Sequence, residues 1–365
     1  MVNFTILAGG YNPFIAAYLF NTDARSLTYT GQTATNANPS WITPHLINSS
    51  ILYATNENSP GGVQSFVVGP SGALMPFATA PSDGDAPAFA SMLSTGQIAA
   101  MNYIMPHPRL TDSPQYNTGN GAFITLDSGD PLHFGANHDI TFPIREQGNV
   151  SHPHMAFEHN GELFVPDLGQ DTIWRLGHDA SGAWSIHGDI PQPVGSGPRH
   201  MTIFKNTLYI AHELASTLTA QPLPAAPNGT STIIAQLSTI PPNNLTSPFW
   251  AAAEILIPTP NARFQTAYAY VSNRNTGTTV DPRGDTVAIF ALVPRLRLLA
   301  QVYTGVQQVR GMQFGGEHDE FLVLSGVVGD AGVAVFERVD GGADMRLVAR
   351  DTTVGNRTSF LWGQW

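Results

Sequence analysis

The chain has 365 residues, no cysteine, a net charge of −11 and only 12% charged residues, about half the ~25% usual in globular domains. Its single lysine, Lys205, leaves no basic patch to neutralise a phosphate backbone, which argues against nucleic acid as a partner. No run of about 20 apolar residues is present, so no transmembrane helix and no membrane partner is expected, and disulfides are excluded.

In chain order, the first predicted strand lies near Thr5 and runs into ILAGGY (Ile6 to Tyr11), followed after a short turn by IAAYLF from Ile15. The same pairing returns as LYATNE (Leu52 to Glu57) with GVQSFVV, IAAMNY (Ile98 to Tyr103) with GAFITL, and LFVPDL (Leu163 to Leu168) with TIWRL. It continues as LYIAHE (Leu208 to Glu213) with STLTAQPL, AYVSNR (Ala269 to Arg274) with TVAIFAL, and FLVLSG (Phe321 to Gly326) with GVAVFERV. The ends of the first phrases are spaced by 46, 46, 65, 45, 61 and 52 residues, the length of one four-stranded blade with two insertions. A further strand precedes most pairs, as in SWITPHL from Ser40, PAFASML from Pro87, HMAFEH from His154, RHMTIF from Arg199 and RGMQFG from Arg310. Turn formers such as HNGEL, DPRGDT and VDGGAD separate them, and no helical period is sustained. The pattern predicts an all-β, seven-bladed β-propeller of four-stranded antiparallel blades around an axial channel. It is one domain over residues 1–365, with a long insertion at about 105–150. The strand near Thr5 and a C-terminal strand at Ser359 to Trp365 are expected to share one blade, closing the ring and protecting its edges.

Blade position then indicates a site. The ends of the first phrases converge near one mouth of the channel, where Glu57, Tyr103, Glu213 and Arg274 are placed, with Asn102 and Asp167 beside that point. Charged groups there are costly to bury unless paired or bound to a ligand. One strand earlier, HPHMAF carries His152 and His154, and GSGPRHM carries Arg199 after a glycine-rich bend. A histidine is suited to proton transfer near neutral pH, and an arginine to holding a carboxylate or an oxyanion. His154, Arg199, Glu213 and Arg274 therefore form the expected acid–base and anion-holding set. Glu57, Asn102, Tyr103, Asp167 and His152 are the expected substrate contacts.

The runs NPSWITPH, LYATNE, GGVQSF, SHPHMAF, LFVPDLGQDTIWRL, GSGPRHMTIF and LYIAHELASTL, in this order and blade spacing, resemble the seven-bladed propeller lactonase family. That family contains 6-phosphogluconolactonases and 3-carboxy-cis,cis-muconate lactonizing enzymes. The resemblance spans almost the whole chain, strongest at 38–68 and 152–218. It implies metal-independent lactone chemistry with no cofactor, on a small lactone or carboxylate substrate, by hydrolysis or by lactonization. It also implies that His154 is the catalytic histidine, with Arg199, Glu213 and Arg274 at the family's arginine, glutamate and arginine positions. Two departures stand out: the usual asparagine before Glu213 is His212, and lysine is nearly absent, which weighs against a phosphorylated substrate.

Other readings of the same residues stay open. His154 is also read as a satisfied core histidine, Arg199 with Glu213 as a structural ion pair, Asp167 as a turn cap and Glu57 as an inert lining residue. His152 with His154 is one metal-like pair without a third ligand phrase, so no metal is expected. His107, His133 and His138 are expected in a solvated loop or lid, and Trp41 near a mouth. A binding propeller without catalysis, or an isomerase or lyase on this fold, are the competing functions. Six glycosylation sequons, at Asn3, Asn48, Asn149, Asn228, Asn244 and Asn356, point to a secreted glycoprotein lacking its leader, with the cytoplasm as alternative and a monomer expected.

Overall fold

A computed structural model describes residues 2–104, 119–145, 150–242 and 249–365. They build seven four-stranded antiparallel sheets. Six blades take four consecutive strands each. Their innermost strands are Ile42–Pro44, Asp85–Met92, Phe157–His159, Pro198–Phe204, Trp250–Leu256 and Gln307–Gly315. In the seventh blade the C-terminal strand Arg357–Gly363 pairs with the N-terminal strand Asn3–Gly10, from Thr5 opposite Gly363 to Gly9 opposite Ser359. The ring thus closes by joining the two ends of the chain, as the sequence predicts. Outside the strands, the only helical turns among the described residues are 3-10 turns at Pro70–Gly72 and Asp340–Gly342.

Packing explains the sequence pattern. Each second strand is sandwiched between neighbouring blades, so Ile51–Asn56 is buried at every position and reads as a continuous apolar run. The outermost strand Ser26–Ala34 has one face in water and alternates. The core is distributed accordingly: each of seven apolar clusters sits chiefly between two adjacent blades, such as Phe20, Phe321 and Val335 between the seventh and sixth.

The expected insertion at 105–150 is narrower than the sequence suggests. Asn120–Asp127 and Asp130–Thr141 lie within it and are the regular outer strands of the second blade. His133 and His138 are therefore exposed residues of an outermost strand and not of a lid, with His133 Nδ1 2.7 Å from Asp130 Oδ2. His107 lies outside the described residues.

Candidate active site

Antiparallel pairing brings the start of each innermost strand beside the end of each second strand, at one end of the channel. The ladder slips by one residue near this point in several blades. In the second, Pro87 faces Asn102 and Phe89 faces Met101, leaving Ala88 extra. Arg199 is the extra residue between the pairs Pro198–His212 and His200–Ala211, and Arg310 is the extra residue between Val309–Gly326 and Gly311–Ser325. His154 follows the equivalent bridge of Pro153 to Asp167. A bulge turns a side chain out of the pleat, and here it presents histidine and two arginines from three blades at the same level. The bend before Arg199 has φ 73° at Gly195 and 62° at Gly197, and Asp171 of the DLGQD phrase holds it by accepting from both backbone amides.

Glu213 is the anionic centre of this level. One of its oxygens pairs with Arg199 and the other with Arg274, whose Nη2 is 2.9 Å away. Burial alone would raise the Glu213 carboxyl, but the two guanidinium charges and their hydrogen bonds reverse this and bring it to about 2. Burial, with Arg199 beside it, lowers Arg274 to about 10. A second pair stands across the axis: Tyr11 donates to Glu57 Oε1 at 3.1 Å, and Arg310 Nη2 lies 3.8 Å from the same oxygen and over the Tyr11 ring. Three arginines therefore face two carboxylates, a net positive site within a chain of charge −11. The Nε atoms of Arg199 and Arg274 and Glu57 Oε2 are buried with no partner among the described residues.

His154 is buried, and its basicity falls well below the usual histidine range, first by desolvation and then by Arg199, His200, Arg310 and Arg274. It is therefore neutral at neutral pH. Its Nδ1 is 3.1 Å from His200 Nε2, and His200 Nδ1 is 2.7 Å from Glu254 Oε1. Tyr103 stacks on His152 at 4.5 Å and meets His154 edge-on at 5.9 Å. His152 Nδ1 is 2.7 Å from the Tyr103 carbonyl, which only accepts, so that nitrogen carries the proton. Trp41 and Phe89 pack edge-on against His200, and both line an axial cavity.

Two expected substrate contacts are corrected. Asp167 is fully buried and accepts from the amides of His152, Gly169 and Gln170, the Ser151 hydroxyl and the Trp174 indole. Both oxygens are taken up in capping the loop that carries His152 and His154. Asn102 is also fully buried and donates to Ser82 O at 2.6 Å and Asn120 Oδ1 at 3.0 Å. Asn273 repeats that pair in the fifth blade with Thr239 O and Thr286 Oγ1, so the position ties neighbouring blades together. His154, Arg199, Glu213, Arg274, Glu57, Tyr103 and His152 are brought to one end of the axis. Arg310, Tyr11, His200 and Glu254 were not singled out. The recurrence of Arg-x-Met in RHMTIF and RGMQFG, at the same blade position, was the signal for Arg310.

Comparisons with known proteins agree with this fold. A protein of Arthroderma benhamiae named probable 6-phosphogluconolactonase is 26% identical over 316 residues, covering 82% of this chain and 73% of that relative. The solved structure of the periplasmic gluconolactonase of Pseudomonas aeruginosa superposes with a TM-score of 0.80 at 18% identity, over 99% of both chains. A protein from Lactobacillus plantarum superposes with a TM-score of 0.79 at 21% identity, also over 99% of both. The family described as lactonase, 7-bladed beta-propeller matches residues 5–362, and the chain belongs to this family of enzymes.

Proposed function

We propose that the protein hydrolyses a lactone carrying an anionic group, bound at the axial mouth formed by His154, Arg199, Glu213, Arg274, Glu57, Tyr103 and Arg310. The observation that carries this reading is the Arg199–Glu213–Arg274 bridge beside a neutral, buried His154. In the reaction, His154 takes a proton from water as the water oxygen adds to the ring carbonyl. Arg199 and Arg274 stabilise the oxyanion that forms. The ring C–O bond then breaks and His154 returns the proton to the departing oxygen. An anion seated among the arginines offsets their part in depressing His154 and so raises its basicity, while burial still lowers it. Arg310 adds a third cation to the two found by sequence. That suits a carboxylated or otherwise anionic sugar-type lactone better than a neutral one.

The test is acid release, followed with a pH indicator, by chelator-treated protein against neutral, carboxylated and phosphorylated lactones, with muconates followed by ultraviolet absorbance. His154→Ala is expected to lower turnover about a hundredfold or more on the active lactone. Full activity in that variant, or turnover of muconates alone, would overturn the reading in favour of other chemistry at this mouth.

A secreted location is part of the same proposal. Its support is the exposure of three sequon asparagines, Asn3, Asn48 and Asn228; Asn356 is half-buried, and Asn149 and Asn244 lie outside the described residues.

A further inference from the structure

The proposed reaction does not by itself use His200 or Glu254, yet the two lie in line behind His154. His200 is one residue further along its strand than the bulged Arg199 and is buried, as is Glu254 on the neighbouring blade. Glu254 Oε1 accepts from the Ile255 amide at 3.0 Å and from His200 Nδ1 at 2.7 Å, so His200 Nδ1 carries a proton. In neutral His200 the remaining nitrogen, Nε2, is then an acceptor. The atom 3.1 Å from it is His154 Nδ1, which must donate. That leaves the lone pair of His154 on Nε2.

The surroundings explain why this line ends in a carboxylate. Burial first, then Arg199, His200 when it is itself protonated, Arg310 and Arg274 all disfavour a positive His154, and the ring becomes positive when it takes a proton from water. Glu254 is the opposing charge, reached through one imidazole. It also lines an axial cavity of about 260 Å³ with Trp41, Thr43, Ser91, Gln313 and Leu361. Trp41 immediately precedes its strand, and Thr43, Ser91, Gln313 and Leu361 lie further along theirs, towards the opposite mouth. The cavity has room for water beside the carboxylate.

We propose that Glu254 and His200 are positioning residues that fix His154 as its Nδ1–H tautomer and stabilise its cation during turnover. This rests on His154 being the base of the proposed hydrolysis. No proton leaves the His154–water–lactone set: the one taken from water returns to the ring oxygen, and the Nδ1–H bonds of both histidines only strengthen in between.

The test combines nitrogen-15 NMR of the histidine rings with kinetics of the intact protein. In the wild type, His154 and His200 are expected to show protonated Nδ1 and unprotonated Nε2. A wild-type His154 with its proton on Nε2 would overturn the proposal, and this readout needs neither a variant nor a known substrate. Glu254→Gln keeps the acceptor oxygen but removes the charge, so kcat should fall about a hundredfold while KM stays within about threefold, the arginines being untouched. An unchanged kcat in a folded Glu254→Gln protein would equally overturn it. If no lactone is turned over by the wild type, the hydrolysis reading fails and the ring spectrum still decides the tautomer.

Discussion

Arg274 and Glu213 meet across the fourth and fifth blades, Nη2 to Oε1 at 2.9 Å, while Arg199 holds the other oxygen of the same carboxylate. One buried acid thus fixes the separation of two cations at the mouth. Glu213→Gln leaves both guanidinium groups without their counter-charge, and breaking a buried pair in this way costs about 3–5 kcal/mol. The pH dependence follows the same link. The folded carboxyl is depressed from 4.5 to about 2, so its stabilisation is complete above about pH 4.5 and is lost as pH falls towards 2. Denaturant unfolding between pH 2 and 7 should show this acid loss in the wild type and a flatter curve in the variant. Parallel curves would refute the assignment.

Arg310 is the loosest of the three cations, 3.8 Å from Glu57, and so the one most available to a ligand. Arg310→Gln is expected to raise KM for anionic lactones about tenfold or more, with little change for a neutral lactone that the enzyme accepts. An equal rise for both would mean that the guanidinium orders the mouth and does not bind the substrate's charge.

His212 departs from the amide pattern of Asn102 and Asn273. It is fully buried, its Nε2 is 2.9 Å from Thr219 Oγ1, and burial lowers it from 6.5 to about 4. In the unfolded chain it takes a proton first, so folding stability falls as pH drops from about 6.5 to about 4. His212→Asn removes this contribution and fits the blade tie already made at Asn102 and Asn273. Thermal melts at pH 4 to 7 should show a smaller acid loss in the variant; an unchanged loss would assign it elsewhere.

The blades were legible because each second strand is covered on both faces, and its apolar run recurs at near-constant spacing. The site was legible where a charged side chain ended such a run, as at Glu57, Glu213 and Arg274, and where a proline- or glycine-bounded phrase opened the preceding strand, as at His152, His154 and Arg199. His200 and Glu254 sit inside strands, where an apolar or a polar residue fits the spacing equally well. Only the meeting of two blades reveals that they are in line with His154. Asp167 and Asn102 misled for the opposite reason. Their position at the mouth matches that of ligand contacts, but backbone amides hold the Asp167 carboxylate, and the Ser82 carbonyl and Asn120 Oδ1 hold Asn102 Nδ2, partners that the sequence does not show. In the second blade only the outermost strand, Asp130–Thr141, escapes the sequence reading, because it lies in the stretch 105–150 that reads as an insertion.

Ring closure depends on one further buried cation. Arg357 is fully buried at the start of the C-terminal strand and donates to the carbonyls of Gly355 at 3.0 Å, Phe14 at 3.1 Å and Ala8 at 3.4 Å, and to the Asn12 side chain. A Cβ on Gly10 would meet its guanidinium at 2.7 Å, so the glycine is what lets the two chain ends approach. Burial lowers Arg357 to about 10, and it remains charged at neutral pH. Arg357→Ala strands at least three carbonyl acceptors, each worth about 1–3 kcal/mol when buried without a donor, so a loss of about 3 kcal/mol or more is expected. The loss should be local before it is global, because the C-terminal strand is joined to its blade through the Asn3–Gly10 strand. Hydrogen exchange should therefore rise first at residues 357–363 and 3–10, with the fourth and fifth blades still protected. Uniform acceleration around the ring would show instead that the propeller opens as one unit and that Arg357 has no special part in holding it shut.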